Sequence, residues 1–226
     1  MSKEITSVHT GRGVARLERR PDGVTVVDVS GRVEVFDEVV VATHADTALQ
    51  LLDSAATDTE RNVLGSFRYQ ANEVVLHTDA SVMPATTRTW SSWNVMERTK
   101  DDGSHPVAVT YWMNRLQNLP TSKNVFVTLN PEGRVSPEEV IDTWVAMHPQ
   151  FDVTTRRAQE AFPTIQGVDR VWFAGAHLGH GFHEDGLQSG LTVAAALDSP
   201  VPWWADVTPV SPAAHHAAPL EPGVAR

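Results

Sequence analysis

Residues 175–186 read GAHLGHGFHEDG, a run that places glycines, imidazoles and carboxylates within reach of one another. An apolar strand, Val168–Ala174, is predicted before it, and an apolar helix from Glu184 to Leu197 after it. A strand feeding a glycine-rich turn and then a helix start is a site for negative charge. The first N–H groups of a helix lack partners, and its dipole is positive at that end. Gly175, Gly179 and Gly181 let backbone approach a ligand without Cβ collisions. Gly186 and Gly190 thin one helix face at a cost of about 1 kcal/mol each against alanine. An ordinary strand–helix packing unit with a loose loop explains the same pattern equally well.

The same run offers a second chemistry. His177, His180 and His183 are spaced H-x-x-H-x-x-H with Glu184 adjacent, a set of N and O donors suited to zinc or iron. Gly179, Gly181 and Phe182 lie among them, and the spacing is not the i, i+4 pair of a metal-binding helix. A metal-dependent enzyme is therefore the minor reading.

The elements around this run must hold it in place. Upstream, GVARLERRPDGVTVVDVSGRVEVF reads as short strands joined by turns at Asp22–Gly23 and Gly31, an antiparallel meander. The next strand, EVVVAT at residues 38–43, is a continuous β-branched run that suits a parallel strand buried on both faces. A helix is expected over Asp46–Leu52. Between about 58 and 166, ANEVVLHTD, RTWSSWNVM, PVAVTYWMN and NVFVTLN read as four strands. Ser136-Pro137-Glu138-Glu139 reads as the start of a helix running through Val140, Trp144 and Val145 to about His148. After Ser199 the composition turns to Pro and Ala without periodicity, which predicts a disordered tail onto whose body Trp203 and Trp204 are the candidate anchors.

Composition narrows the classes. A formal net charge of -10 over 226 residues, with lysine only at 3, 100 and 123, offers no basic surface for nucleic acid or anionic lipid. The absence of cysteine excludes disulfides, thiolate catalysis and a cysteinyl flavin link. No secretory leader or run of 18 apolar residues is present, so the expected setting is cytoplasmic.

VWFAGAHLGHGFHEDGLQSGLTVAAAL resembles the C-terminal flavin-contacting motif of the flavin-containing amine oxidoreductase superfamily. Gly181, Phe182, Glu184, Ser189 and Gly190 match its G-[FY]-x-E-G-x-x-x-[SA]-G helix start; Asp185 stands where a small residue is usual. RYQANEVVLHTDASVMP, WSSWN, VTYWMNRLQNL and FHEDGLQSG are similar to one subgroup, the NAD/FAD-binding proteins that accompany lipid-modifying enzymes. The resemblance implies an α/β (α+β) fold: the C-terminal part of an FAD-binding Rossmann-like domain with an inserted, mixed or antiparallel substrate-binding sheet. Its segments are expected at 1–52, 53–167 and 168–198, with the tail at 199–226. It implies FAD as cofactor, with Val14 beside the adenine and Thr43 and His44 beside the ribose. Gly175 would lie near the pyrophosphate and ribityl, and His183, Glu184, Asp185, Gly186 and Leu187 at the flavin itself. The family opens with G-x-G-x-x-G, which cradles the pyrophosphate. Gly11-x-Gly13 and Gly179-x-Gly181 both lack the third glycine. The expectation is a truncated FAD-dependent oxidoreductase acting on an apolar or lipid-like substrate, partnered by a separate N-terminal FAD-binding segment. A non-catalytic subunit of a flavoprotein is the alternative. Trp90, Trp93, Tyr111 and Trp112 are candidates for strand core or for an apolar substrate lining. His77, Asn114 and Arg115 are polar residues on those strands with no assigned role.

Overall fold

The computed structural model describes residues 7–97 and 107–199, and the predicted tail with Trp203 and Trp204 lies outside them. The chain is a mixed α/β structure that divides into two units: Met1–Arg68 with Pro149–Arg226, and Tyr69–His148.

In the first unit, β1 (Val14–Arg20), β2 (Gly23–Asp28) and β3 (Val33–Phe36) form the expected antiparallel meander. The turn at Asp22–Gly23 sets the register, pairing Arg20 with Gly23 and Leu17 with Val26. β4 (Val39–Val41) pairs in parallel with β10 (Val171–Phe173), Val41 opposite Phe173. The parallel pairing is as expected; burial on both faces is not. Val41 and Phe173 are buried, but Val40 is 44% exposed, because β4 has a single strand partner and one covered face. The far edge of β10 is closed by a side chain: the Gln166 amide accepts from Phe173 N–H at 2.9 Å and donates to its carbonyl at 2.8 Å.

Three helices pack on these strands. α1 (Ala45–Leu52) buries Ala45, Ala48 and Leu52. α2 (Asp58–Leu64) is entered through a capping box, Thr57 with Glu60. That Thr-x-x-Glu signal is in the sequence, but a helix of seven residues is too short to show an apolar period that would support it. α4 (Val153–Ala161) starts at Asp152, whose carboxylate accepts from Thr155 N–H at 2.8 Å. The core they share holds Leu52, Leu64, Phe67, Phe162, Ile165 and Phe173, each at most 3% exposed.

The second unit is a five-stranded sheet in the order β6-β7-β8-β5-β9. Its strands are β5 (Arg68–His77), β6 (Trp93–Glu97), β7 (Val107–Trp112), β8 (Phe126–Leu129) and β9 (Val140–Gln150). A short helix, α3 (Met113–Gln117), follows β7 directly, so Asn114 lies beyond the strand, not on it. The helix expected from Ser136 to His148 is wrong. Ser136 makes no side-chain cap, Pro137–Glu139 form a single 3-10 turn, and Val140–Gln150 run as a strand. The acids and proline mimic a helix start, but Val140, Ile141, Thr143 and Val145 are β-branched and lose side-chain freedom in a helix.

Candidate flavin-facing site

The parallel pair sets the site. β4 and β10 end at the same edge, held there by the Ala174 N–H donating to Val41 oxygen at 3.1 Å. β4 runs into Thr43 and His44, the latter being the N-cap residue of α1. β10 runs into Ala174 and Gly175. Three residues singled out in the sequence, Thr43, His44 and Gly175, therefore meet at the carboxyl ends of two parallel strands, where α/β folds place ligands.

From Gly175 the chain makes a 3-10 turn (Ala176–Leu178) and enters α5 (His183–Ala196). Ser189 staples the turn to the helix: its hydroxyl accepts from Gly175 N–H at 2.9 Å and donates to Gly186 oxygen at 2.7 Å. From α4, Gln159 donates to the carbonyls of His177 and Gly179 at 2.9 and 2.7 Å. Ser189 is a motif position to which the sequence gives no role, and Gln159 is not singled out by the sequence. Gln159 is distant in sequence and has a common side chain, so nothing local marks it.

The helix start already holds an anion. The Asp185 carboxylate accepts from the N–H groups of His180 and Phe182 at 3.0 and 2.8 Å, so Asp185 caps its own helix. Its side chain also occupies the space a Cβ on Gly179 would need. A phosphate cannot use the same donors. Glu184 accepts from Gln188 at 2.6 Å on the outer face. Gly186 packs on Ala176, which lies 3.7 Å from where a Cβ would sit, and Leu187 is 48% exposed beside it. Gly181 needs its freedom, with φ +90 and the Phe151 ring 3.2 Å from where a Cβ would sit. Val14 sits in the other sheet of this unit, paired with Asp28.

The histidines do not converge. The His177 ring is buried edge-on against Phe67, 5.0 Å between centroids, with Nε2 unpartnered. Burial and the neighbouring His44 push its pKa down to about 4. His180 and His183 are exposed. Among the described residues no group of three His, Cys, Asp or Glu side chains is arranged to hold a metal. A depression of about 320 Å³ lined by Arg19, Arg20, Pro21, Asp169 and Arg170 lies at the opposite end of β10. Its arginines are paired with Glu60, Glu18 and Glu38, which leaves little charge for a ligand.

In the second unit, Trp90 joins Met83 and Phe126 in the core, with Trp112 packed against them. The Arg115 guanidinium donates to Trp90 oxygen at 3.0 Å, and Asn114 ties the loop ahead of β8, accepting from Val125 N–H at 2.7 Å. His77 is fully buried and bonded to the Thr128 hydroxyl at 2.7 Å, and Thr128 to Thr110 at 2.9 Å. Trp93 is different: it is 54% exposed and stacks edge-on with Tyr111.

A model of the family described as flavin containing amine oxidoreductase matches residues 3–198. The chain belongs to that family. Solved structures share its fold. The chain is similar to a CLA-producing fatty acid isomerase from P. acnes, with a TM-score of 0.54 at 13% identity over 82% of this chain and 47% of that one. It is similar to cyclohexylamine oxidase from Brevibacterium oxydans, with a TM-score of 0.52 at 14% identity over 81% and 47%. A putrescine oxidase redesigned in its cofactor binding gives a TM-score of 0.53 at 12% identity over 83% and 48%. The chain thus spans about half the length of each solved structure. No curated protein matches the sequence significantly. No helix among the described residues of this family member is long and apolar enough to cross a membrane.

Proposed function

We propose that this chain supplies the flavin-facing part of an FAD-dependent oxidoreductase. The observation that carries the reading is the shared edge of β4 and β10, which brings Thr43, His44 and Gly175 beside the start of α5. On this reading the first unit is part of a Rossmann-like FAD domain, and the second is a substrate-binding insertion.

The residues present fit one end of the cofactor. The exposed Leu187, next to the half-buried Gly186, offers an apolar surface in the first turns of α5. That surface suits the ring system of a flavin through apolar contact. Bound FAD would supply two-electron hydride chemistry. The role of this chain is to position and to exclude. α5 presents Leu187 to the ring, Ser189 and Gln159 hold the turn in place, and Thr43 and His44 flank the ribose and adenine side together with Val14. The pyrophosphate does not fit here, because Asp185 already takes the loop donors. Those contacts fall to a G-x-G-x-x-G segment of the fold. The exposed Trp93, packed on the half-buried Tyr111 with Val95 and Val107 on the same sheet face, supports an apolar or lipid-like substrate.

The test is flavin binding by the chain combined with a G-x-G-x-x-G segment, followed through the visible spectrum. Bound flavin that Leu187→Asp releases, with folding unchanged by circular dichroism, is the expected result. Flavin retained in Leu187→Asp would place the ring elsewhere.

A further inference from the structure

The sheet of the second unit is turned inside out. Residues opposite one another in register share a face, and Asn94, Thr110, Thr128 and Val75 form such a row across β6, β7, β8 and β5. This largely polar row is at most 7% exposed. The Thr128 hydroxyl bonds to Thr110 and His77, and Phe126 on the same face packs with Met83 and Trp90. That face therefore has its own cover. The opposite face is apolar and open. It carries the row Trp93, Tyr111, Val127 and Leu76 and, next to it, a row from Val95 to Val74. Trp93 and Val95 are 54% and 65% exposed, and of the eight residues Val74 alone is buried. Tyr111 supplies the one hydroxyl of the two rows. Its ring meets Trp93 edge-on at 5.4 Å, and among the described residues the hydroxyl has no hydrogen-bond partner.

We propose that this open face binds a fatty acyl chain, whose carboxyl end accepts from the Tyr111 hydroxyl. Naming the chain a substrate rests on the flavin reading; the surface rests on the sheet alone. Size selects the occupant. Strands about 4.8 Å apart make each row about 14 Å long, and the second row adds about 7 Å along the strands. A stable protein interface needs about 800 Å² on each partner, several times this area. An extended small molecule fits it. Chemistry selects the type. Aliphatic and aromatic side chains with one free hydroxyl suit a hydrocarbon ended by a hydrogen-bond acceptor. An ammonium end would need a carboxylate beside it, and Glu97, on the same face, stands two rows from Tyr111, opposite Val107.

Calorimetric titration of the purified full chain with dodecanoate tests the site. The expected result is one bound dodecanoate per chain, lost in Val95→Glu and kept in Val29→Glu, whose valine is 70% exposed in the first unit. Both variants keep the circular dichroism of the parent. Tyr111→Phe retains binding but weakens it about tenfold, and dodecylamine binds the parent chain more weakly than dodecanoate does. Absence of binding overturns the proposal, and so does equal loss in the two glutamate variants, which marks adsorption to any apolar surface. Undiminished affinity in Tyr111→Phe, or dodecylamine bound as tightly, overturns the placement of the carboxyl end. A dimer that Val95→Glu separates overturns the acyl site as well, because a second copy then covers the face. Dodecanoate bound as expected by a chain that takes up no flavin with a G-x-G-x-x-G segment upholds the acyl site and removes the oxidoreductase reading instead.

Discussion

Arg19 and Glu60 are joined by an ion pair of 2.5 Å in which the carboxylate is fully buried and the guanidinium nearly so. The pair links β1 to the cap of α2, where Glu60 also accepts from Thr57 N–H at 2.8 Å. Arg19 continues to the Ala55 carbonyl at 2.5 Å. Removing one partner leaves a buried charge uncompensated. Glu60→Ala is expected to cost about 3–5 kcal/mol, and Glu60→Gln less. Urea melts of both variants measure this; a loss below about 1 kcal/mol in the alanine variant would show a pair of the exposed, weak kind.

Glu60 also makes stability depend on acid. Burial raises its pKa, but the bonds from Arg19 and Thr57 outweigh it and hold the carboxyl below its ordinary value. Stability from this group is full above the unfolded value near 4.5 and is lost as pH falls through the folded one. His177 acts at higher pH. Its pKa of about 4 lies below the unfolded value of 6.5, so stability declines as pH falls from 6.5 and levels off below about 4. The decline amounts to about 3 kcal/mol at most. His177→Phe is expected to flatten the dependence between those values, and an unchanged slope would assign it to another group.

Gly179 and Asp185 are expected to be coupled. Asp185→Ala removes two charge-assisted bonds at the start of α5 and is predicted to cost about 1–2 kcal/mol. Gly179→Ala forces the Asp185 side chain aside and should cost a similar amount. In the Asp185→Ala background the glycine substitution should cost much less, which a double-mutant cycle reads directly. Additive losses would mean that Gly179 matters for another reason.

Gly186 separates stability from cofactor binding. A Cβ there meets only Ala176, at 3.7 Å, so alanine fits and gains up to about 1 kcal/mol of helix propensity. If the backbone approaches a flavin ring at this point, Gly186→Ala raises the melting temperature and lowers flavin affinity in the assembled protein. A gain in stability with unchanged affinity would move the close approach to another residue.

The meander, the parallel strand after it and the last helix were legible in the residues, because each depends on local turn chemistry or a long apolar period. Asp22–Gly23 makes its turn whatever surrounds it, and α5 starts within one residue of its expected position. The Ser136–His148 segment misled because a helix-start signature preceded β-branched residues, and the sheet decided between them. The motif at 175–190 named its family without showing how its parts are used. Sequence spacing makes equals of His177, His180 and His183, and offers Asp185 as a ligand contact. Only the tertiary structure turned His177 into the core, gave Asp185 to its own helix, and brought Thr43, His44 and Gly175 to one edge. Burial, and contacts between residues more than a hundred positions apart, are not written in any local pattern.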